Sequence, residues 1–197
     1  MTSPYRVVRD FELAIADYTG SPYAVAVNSC TMALFLCCRF LNVGKVFLPS
    51  RTYISVPMSV IHAGGQVEFE NYGWRGMYQL SPYPIWDAAR RFTSGMYRRG
   101  QYQCLSFQAA KILAIEQGGC ILHDNEVADR WFRRARFDGR SEGVPPKDDD
   151  FKMLGWHAYM SPSVASQGLL RLYSMPKHNE DLLNDDYPDL SQLEIFS

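Results

Sequence analysis

The sequence predicts an α/β fold: a mostly parallel sheet with helices on both faces. Two observations predict it. Short apolar runs rich in β-branched and aromatic residues alternate along the chain with helical patterns, an order that closes into crossover units around a shared sheet. In addition, Asn28, Asp87 and Ser106 fall at or near the ends of the expected strands, where open α/β sheets collect their ligands.

The elements follow in order. Residues 7–18, VVRDFELAIADY, place Val7, Phe11, Ile15 and Tyr18 on one helical stripe, and Gly20 is a stop signal just beyond. YAVAVN (23–28) reads as a strand, and SCTMALFLCCRFL (29–41) as a helix opening on a Ser or Thr cap. KVFLPS (45–50) is a strand, YISVPMSVIHAGG (53–65) a helix ending at glycine, and QVEFEN (66–71) a strand. The aromatic, Gly- and Pro-rich stretch 72–84 reads as loop. PIWDAA (84–89), YQCLSF (102–107) and GGCILHD (118–124) are strands, and NEVADRWFRRARFDG (125–139) is a helix stopped by its glycine. After a polar segment, 140–150, a last helix near 161–175 opens on Ser161-Pro162, and the tail beyond Pro176 is acidic.

A chain of 197 residues, 47% hydrophobic, is enough for one domain with a sizeable core. Its formal net charge of -1 gives no electrostatic reason for a nucleic-acid or anionic-membrane partner. Arg130, Arg133, Arg134 and Arg136 do crowd one helix, and they read as a solvated face. The five cysteines form no CxxC pair and are odd in number, so buried thiols of a reducing compartment are expected in place of disulfides or a zinc site. No apolar run is long enough to span a bilayer, and the first residues carry no apolar signal region. A soluble cytoplasmic protein is the expectation.

The stretch CLSFQAAKILAIEQGG (104–119) holds a single charge, Lys111, before Glu116. A lysine there either lays its stem on apolar surface with its head in water, or is an amine that burial has made nucleophilic. The stretch alone leaves both readings open.

In chain order, NSCTMAL, LPSRTY, WDAAR, LSFQAAK and QGG resemble the DegT/DnrJ/StrS-type sugar aminotransferases, a branch of the fold-type I enzymes that use pyridoxal 5'-phosphate (PLP). The likeness begins near residues 11–34, resumes at WDAARRFTSG, and runs through 123–140 to 154–172. It implies a three-layer αβα large domain like that of aspartate aminotransferase over residues 1–176, followed by the acidic tail 177–197. It also implies that Lys111 forms the Schiff base with the PLP aldehyde, and that Asp87 keeps the pyridine nitrogen protonated. Ser29, Cys30 and Thr31 stand where the family binds phosphate at a helix N-terminus, Cys30 replacing a glycine. Ser106 matches a serine that also reaches the phosphate, Tyr53 an aromatic that stacks on the ring, and Gln108 joins the cofactor set.

Departures from the family are expected to matter. Only residues 71–86 connect VEFEN to the aspartate, so at least one βα element is missing. The chain ends about where a small C-terminal domain would begin. Arg90 replaces a glutamine near the PLP phenolic oxygen, where a cation favours the phenolate; it reads equally as a surface charge, as does Arg91. HAYM replaces Asn-Tyr-Arg-Met, leaving His157 as a cofactor contact made across a homodimer with shared sites. The implied activity is a PLP-dependent aminotransferase working on a sugar-like or amino-acid-like amine or carbonyl. The alternatives are PLP-dependent decarboxylation or lyase chemistry on an amino-acid- or nucleoside-linked substrate, and a non-catalytic scaffold or partner subunit.

Overall fold

The computed structural model describes residues 4–183 and 186–196. Helix α1 (Arg6–Thr19) buries Val8, Phe11 and Ile15, and ends at Gly20, whose φ of 76° is the left-handed cap that favours glycine. Strand β1 (Tyr23–Val27) leads to α2 (Cys30–Phe40), where the Ser29 side chain caps the Met32 amide. Then come β2 (Lys45–Pro49), α3 (Ser55–His62), β3 (Gln66–Glu70), β4 (Tyr78–Gln79), β5 (Ile85–Asp87), β6 (Tyr102–Ser106) and β7 (Gly119–His123). Helices α4 (Glu126–Ala135) and α5 (Pro162–Tyr173) complete the order.

Five strands form one sheet in the order β1-β7-β6-β5-β4, and β2 pairs with β3 in a second. β5 and β6 are parallel, as are β2 and β3, whereas β7 runs against both its neighbours and β4 against β5. The antiparallel bridge Phe47↔Ser81 links β2 to the segment that follows β4. β1, β2, β3, β5 and β6 therefore run one way, with β7 and β4 reversed between them. The expected mostly parallel sheet holds in strand direction but not in neighbour pairing.

Side chains alternate across the sheet. Val25 and Val27 join α2, α3 and α4 in one apolar cluster, while Ala24 and Ala26 join α1 and α5 in the other. The layers are thus αβα. Two expectations need correction. The stretch 72–84 is not all loop, because Tyr78–Gln79 is a strand. Helix α4 stops at Ala135, well short of Gly139: the chain turns so that Trp156 and Ala158 donate their amides to Ala135 and Arg136.

The arginines of α4 are not a solvated face either. Arg136 is 1% exposed and pairs with the buried Glu12 and with Glu142, while Arg133 reaches Glu12 at 2.7 Å and Asp129 at 2.7 Å. Burial alone would push the Glu12 carboxyl up, but Arg136 and Arg133 outweigh it and hold the group below its ordinary value. A buried carboxylate recruits cations that sequence patterning assigns to water. Arg130 and Arg134 do face outward, paired with Glu126 and Asp150. No helix among the described residues is long and apolar enough to cross a membrane.

Candidate active site

A cavity of about 170 Å³ opens beside the N-terminus of α2 at the ends of β5 and β6. Ser29, Cys30, Thr31, Tyr53, Asp87, Arg90, Ser106, Gln108 and Lys111, from four separate stretches of sequence, all line it. The sheet explains the convergence. β5 and β6 run parallel and adjacent, so Asp87 and Ser106 end side by side. α2 starts at the same edge because β7 lies close under it: a Cβ on Gly119 would stand 2.5 Å from the Cys30 nitrogen and the Ser29 carbonyl carbon. The second glycine of QGG is thus required by backbone approach, not by φ.

Asp87 is buried, and its carboxylate accepts from the Ala89 amide (2.9 Å) and the Tyr78 hydroxyl (3.0 Å). Tyr78 is itself buried and shares a 2.6 Å hydrogen bond with Thr52. Burial raises the Asp87 pKa, opposed by these hydrogen bonds and by the nearby Lys111 and Arg90 charges. Among the described residues Asp87 makes no direct ion pair, so the protein leaves a buried carboxylate facing a cavity without a cation on it. A protonated ring nitrogen is the kind of partner that fits there.

Lys111 lies in the loop between β6 and β7, which is closed by Phe107–Gly118, Ile115–Phe107 and Ala109–Glu116 backbone hydrogen bonds. The side chain is half-buried. Burial, and then the Arg90 charge, lower its amine pKa, against the opposing pull of Asp87, Cys30 and Asp186. A lowered pKa leaves more neutral amine at a given pH, the form able to attack a carbonyl. Burial pushes the Cys30 thiol well up, so it is a neutral wall and no nucleophile. Thr31 and Ser55 hydroxyls share a 2.7 Å hydrogen bond at the start of their two helices. With Ser29 and the α2 N-terminus they form a hydroxyl-lined electropositive end suited to a phosphate. Donor set, buried carboxylate and amine together fit PLP.

His157 does not join the cavity of its own chain. It is 73% exposed and its Nδ1 lies 3.1 Å from Asp138. Arg90, by contrast, lines the cavity and is only 15% exposed, which decides against the surface reading; Arg91 pairs with Asp181 at 2.6 Å. Gln117 of the QGG motif lines the cavity too, as do Ser55, Trp74 and Tyr187, and Tyr78 supports it, though the sequence motifs did not single out these last four. Ser55 was recoverable as a hydroxyl at a helix start. Trp74 and Tyr187 carry no local signal.

The fold is an α/β domain shared with solved structures, several of them named as aminotransferases. DesV of S. venezuelae aligns with TM-score 0.71 at 19% identity, over 86% of this chain and 57% of that one. AtS13 of Actinomadura melliaura gives 0.76 at 19% identity, over 88% and 61%, and the sugar aminotransferase CalS13 of Micromonospora echinospora gives 0.72 at 16%, over 86% and 60%. Residues 1–77 match the model of the DegT/DnrJ/EryC1/StrS aminotransferase family, in keeping with the resemblance read from the motifs. Among curated proteins, the spore coat polysaccharide biosynthesis protein SpsC of Bacillus subtilis is 38% identical over 65 residues. GDP-perosamine synthase of Caulobacter vibrioides is 39% identical over 67. These matches span 32% of this chain and only 17% and 18% of the relatives. The family match holds Ser29–Thr31 and Tyr53 but ends at residue 77. Asp87, Ser106 and Lys111 lie beyond it, and the shared cavity is what connects them to it.

Proposed function

We propose that this chain is a PLP-dependent aminotransferase domain acting on a sugar-like amine or carbonyl substrate, with Lys111 as the cofactor lysine. The observation that carries the reading is one cavity lined by a half-buried lysine of lowered pKa, a buried carboxylate with no ion-pair partner among the described residues, and a helix N-terminus ringed with hydroxyls. When bound, PLP supplies a carbonyl that condenses with amines and a ring that withdraws electrons from the substrate carbon. Lys111 would hold the cofactor and serve as the base that moves the proton at that carbon. Asp87 keeps the proton on the ring nitrogen. Ser29, Thr31 and Ser106, with the α2 amides, would bind the phosphate, and Tyr53 and Gln108, which line the same cavity, would complete the cofactor set. The sugar-like substrate rests on the family match and on relatives whose names concern polysaccharide and perosamine synthesis. The five free cysteines suit a reducing cytoplasm. The same reading makes the assembly a homodimer, with the exposed His157 serving the other subunit's site.

Adding PLP to the cofactor-free protein tests this directly. A lysine-bound cofactor absorbs in the visible, is fixed by borohydride, and marks its lysine in a peptide map. The label is expected on Lys111 and is lost in Lys111→Ala; a label on Lys45, Lys147, Lys152 or Lys177 would overturn the assignment.

A further inference from the structure

The described residues of the tail that reads from sequence as an acidic end pack back across the cavity mouth. Lys177 accepts hydrogen bonds from the Ser94 amide and the Thr93 hydroxyl, and Asn179 donates to the Phe92 carbonyl and the Tyr18 hydroxyl. Asp181 takes a two-point ion pair from Arg91 (2.9 and 2.6 Å) and packs on Gly76, where a Cβ would collide with its carboxylate. Leu190, fully buried, donates its amide to the Ser50 carbonyl at 2.8 Å. Between these anchors Tyr187 meets the cavity. Its hydroxyl accepts from Arg90 Nε at 3.0 Å, its ring lies 4.6 Å from the Arg90 guanidinium carbon, and it stacks on Trp74 at 6.3 Å and 16°.

We propose that Tyr187 is a positioning residue of this site: the C-terminal segment lays it over the cavity so that it holds the Arg90 cation beside Lys111. This deepens the PLP reading and rests on it. The geometry has a chemical logic. A hydrogen bond to Nε and a ring against the guanidinium face fix both the direction and the plane of the cation. Tyr187 does so without cancelling the charge, because burial raises its phenol pKa and keeps it neutral. Among the described residues, the other partners of the Arg90 side chain are the Leu183 carbonyl, which is neutral, and Asp186, which is 76% exposed and therefore screened. Among the described residues, the charges facing Lys111 are Arg90 from the loop after β5, Asp87 from β5 and Asp186 from the tail, with the neutral Cys30 thiol from α2. Of these only Arg90 adds to burial in favouring the neutral amine.

The test reads the Lys111 amine without cofactor. The pH dependence of acetylation by trace acetic anhydride, mapped by mass spectrometry, gives the titration of each lysine in the folded protein. Tyr187→Ala and Arg90→Gln should each move the Lys111 midpoint up, by on the order of one pH unit or about tenfold in neutral amine. Tyr187→Phe, which keeps the ring and loses the acceptor, should fall between. In the Arg90→Gln background, Tyr187→Ala should add little, since the two act through one charge. An equal shift by Tyr187→Ala in both backgrounds, or no shift in the folded Tyr187→Phe and Tyr187→Ala proteins, would overturn the proposal. PLP absorbance measured separately keeps a failure of cofactor binding distinct from a failure of this coupling.

Discussion

Replacing Asp87 by asparagine separates the charge of the site from its shape. The carboxylate accepts two hydrogen bonds, from Ala89 N–H and Tyr78 O–H. An asparagine can keep its oxygen on Ala89 and turn its amide toward Tyr78, whose hydroxyl can then accept while donating to Thr52. Exchanging two charge-assisted hydrogen bonds for neutral ones costs about 2 kcal/mol in total. Against this stands the desolvation of a buried ion, several kcal/mol even after relaxation. The cofactor-free variant is therefore expected to be at least as stable as the wild type at pH 7. The pH dependence gives the sign. The folded pKa of Asp87 lies above its ordinary 3.8, so the native state holds the proton more tightly than the unfolded chain. The wild type thus loses stability as pH rises from about 3.8 through the folded value, and the asparagine variant does not. Urea unfolding at pH 4 and pH 7 should show the gap opening toward neutrality. With PLP the order reverses: the wild type gains more from the cofactor, and turnover in the variant falls by roughly 10³–10⁴-fold, the scale seen when a catalytic group loses its carboxylate partner. Full turnover, or a cofactor-free variant several kcal/mol less stable at pH 7, would refute the reasoning.

His123 is buried with its Nε2 unsatisfied among the described residues, and burial lowers its pKa to about 4. A histidine with a depressed folded pKa contributes stability above about 6.5 that is lost as pH falls toward 4, so the wild type should lose about 2 kcal/mol by pH 5 relative to His123→Gln in urea titrations; parallel curves would refute the shift. The homodimer reading expects light scattering at micromolar concentration to give twice the chain mass, and His157→Ala to weaken PLP binding through the other subunit. A stable monomer that binds PLP fully would end the shared-site model.

Sequence and tertiary structure contributed different things. The helices and most strands were legible because their signals are local: the stripe of α1 with Gly20 at its end, the Ser29 cap, and the apolar runs of β6 and β7. Asp87 and Ser106 stand out as polar residues at strand ends for the same reason, whereas the roles of Ser29, Thr31 and Lys111 come from the family resemblance. That they share one cavity was decided by strand order, above all by β5 lying parallel beside β6 and β7 pressing under α2. Strand order is set by long-range pairing, which leaves no local mark.

The same cause hid the rest. β4 is two residues long and exists only because β5 offers it an edge; the bridge at Ser81 then joins the two sheets across what sequence spacing marks as a missing element. Arg133 and Arg136 look solvent-facing on a helical wheel until Glu12, more than 100 residues away, is buried beneath them. Tyr187 sits in an acidic stretch with no apolar period to place it. Its position depends on Arg91, Gly76 and Ser50, which hold Asp181 and Leu190 on either side, and no reading of the tail alone contains those partners. The sequence by itself determined most of the elements and supplied the candidate groups, because propensity and capping act over a few residues. Only the tertiary structure decided which of those groups meet and what covers them, because burial and pairing are properties of residues brought together across the chain.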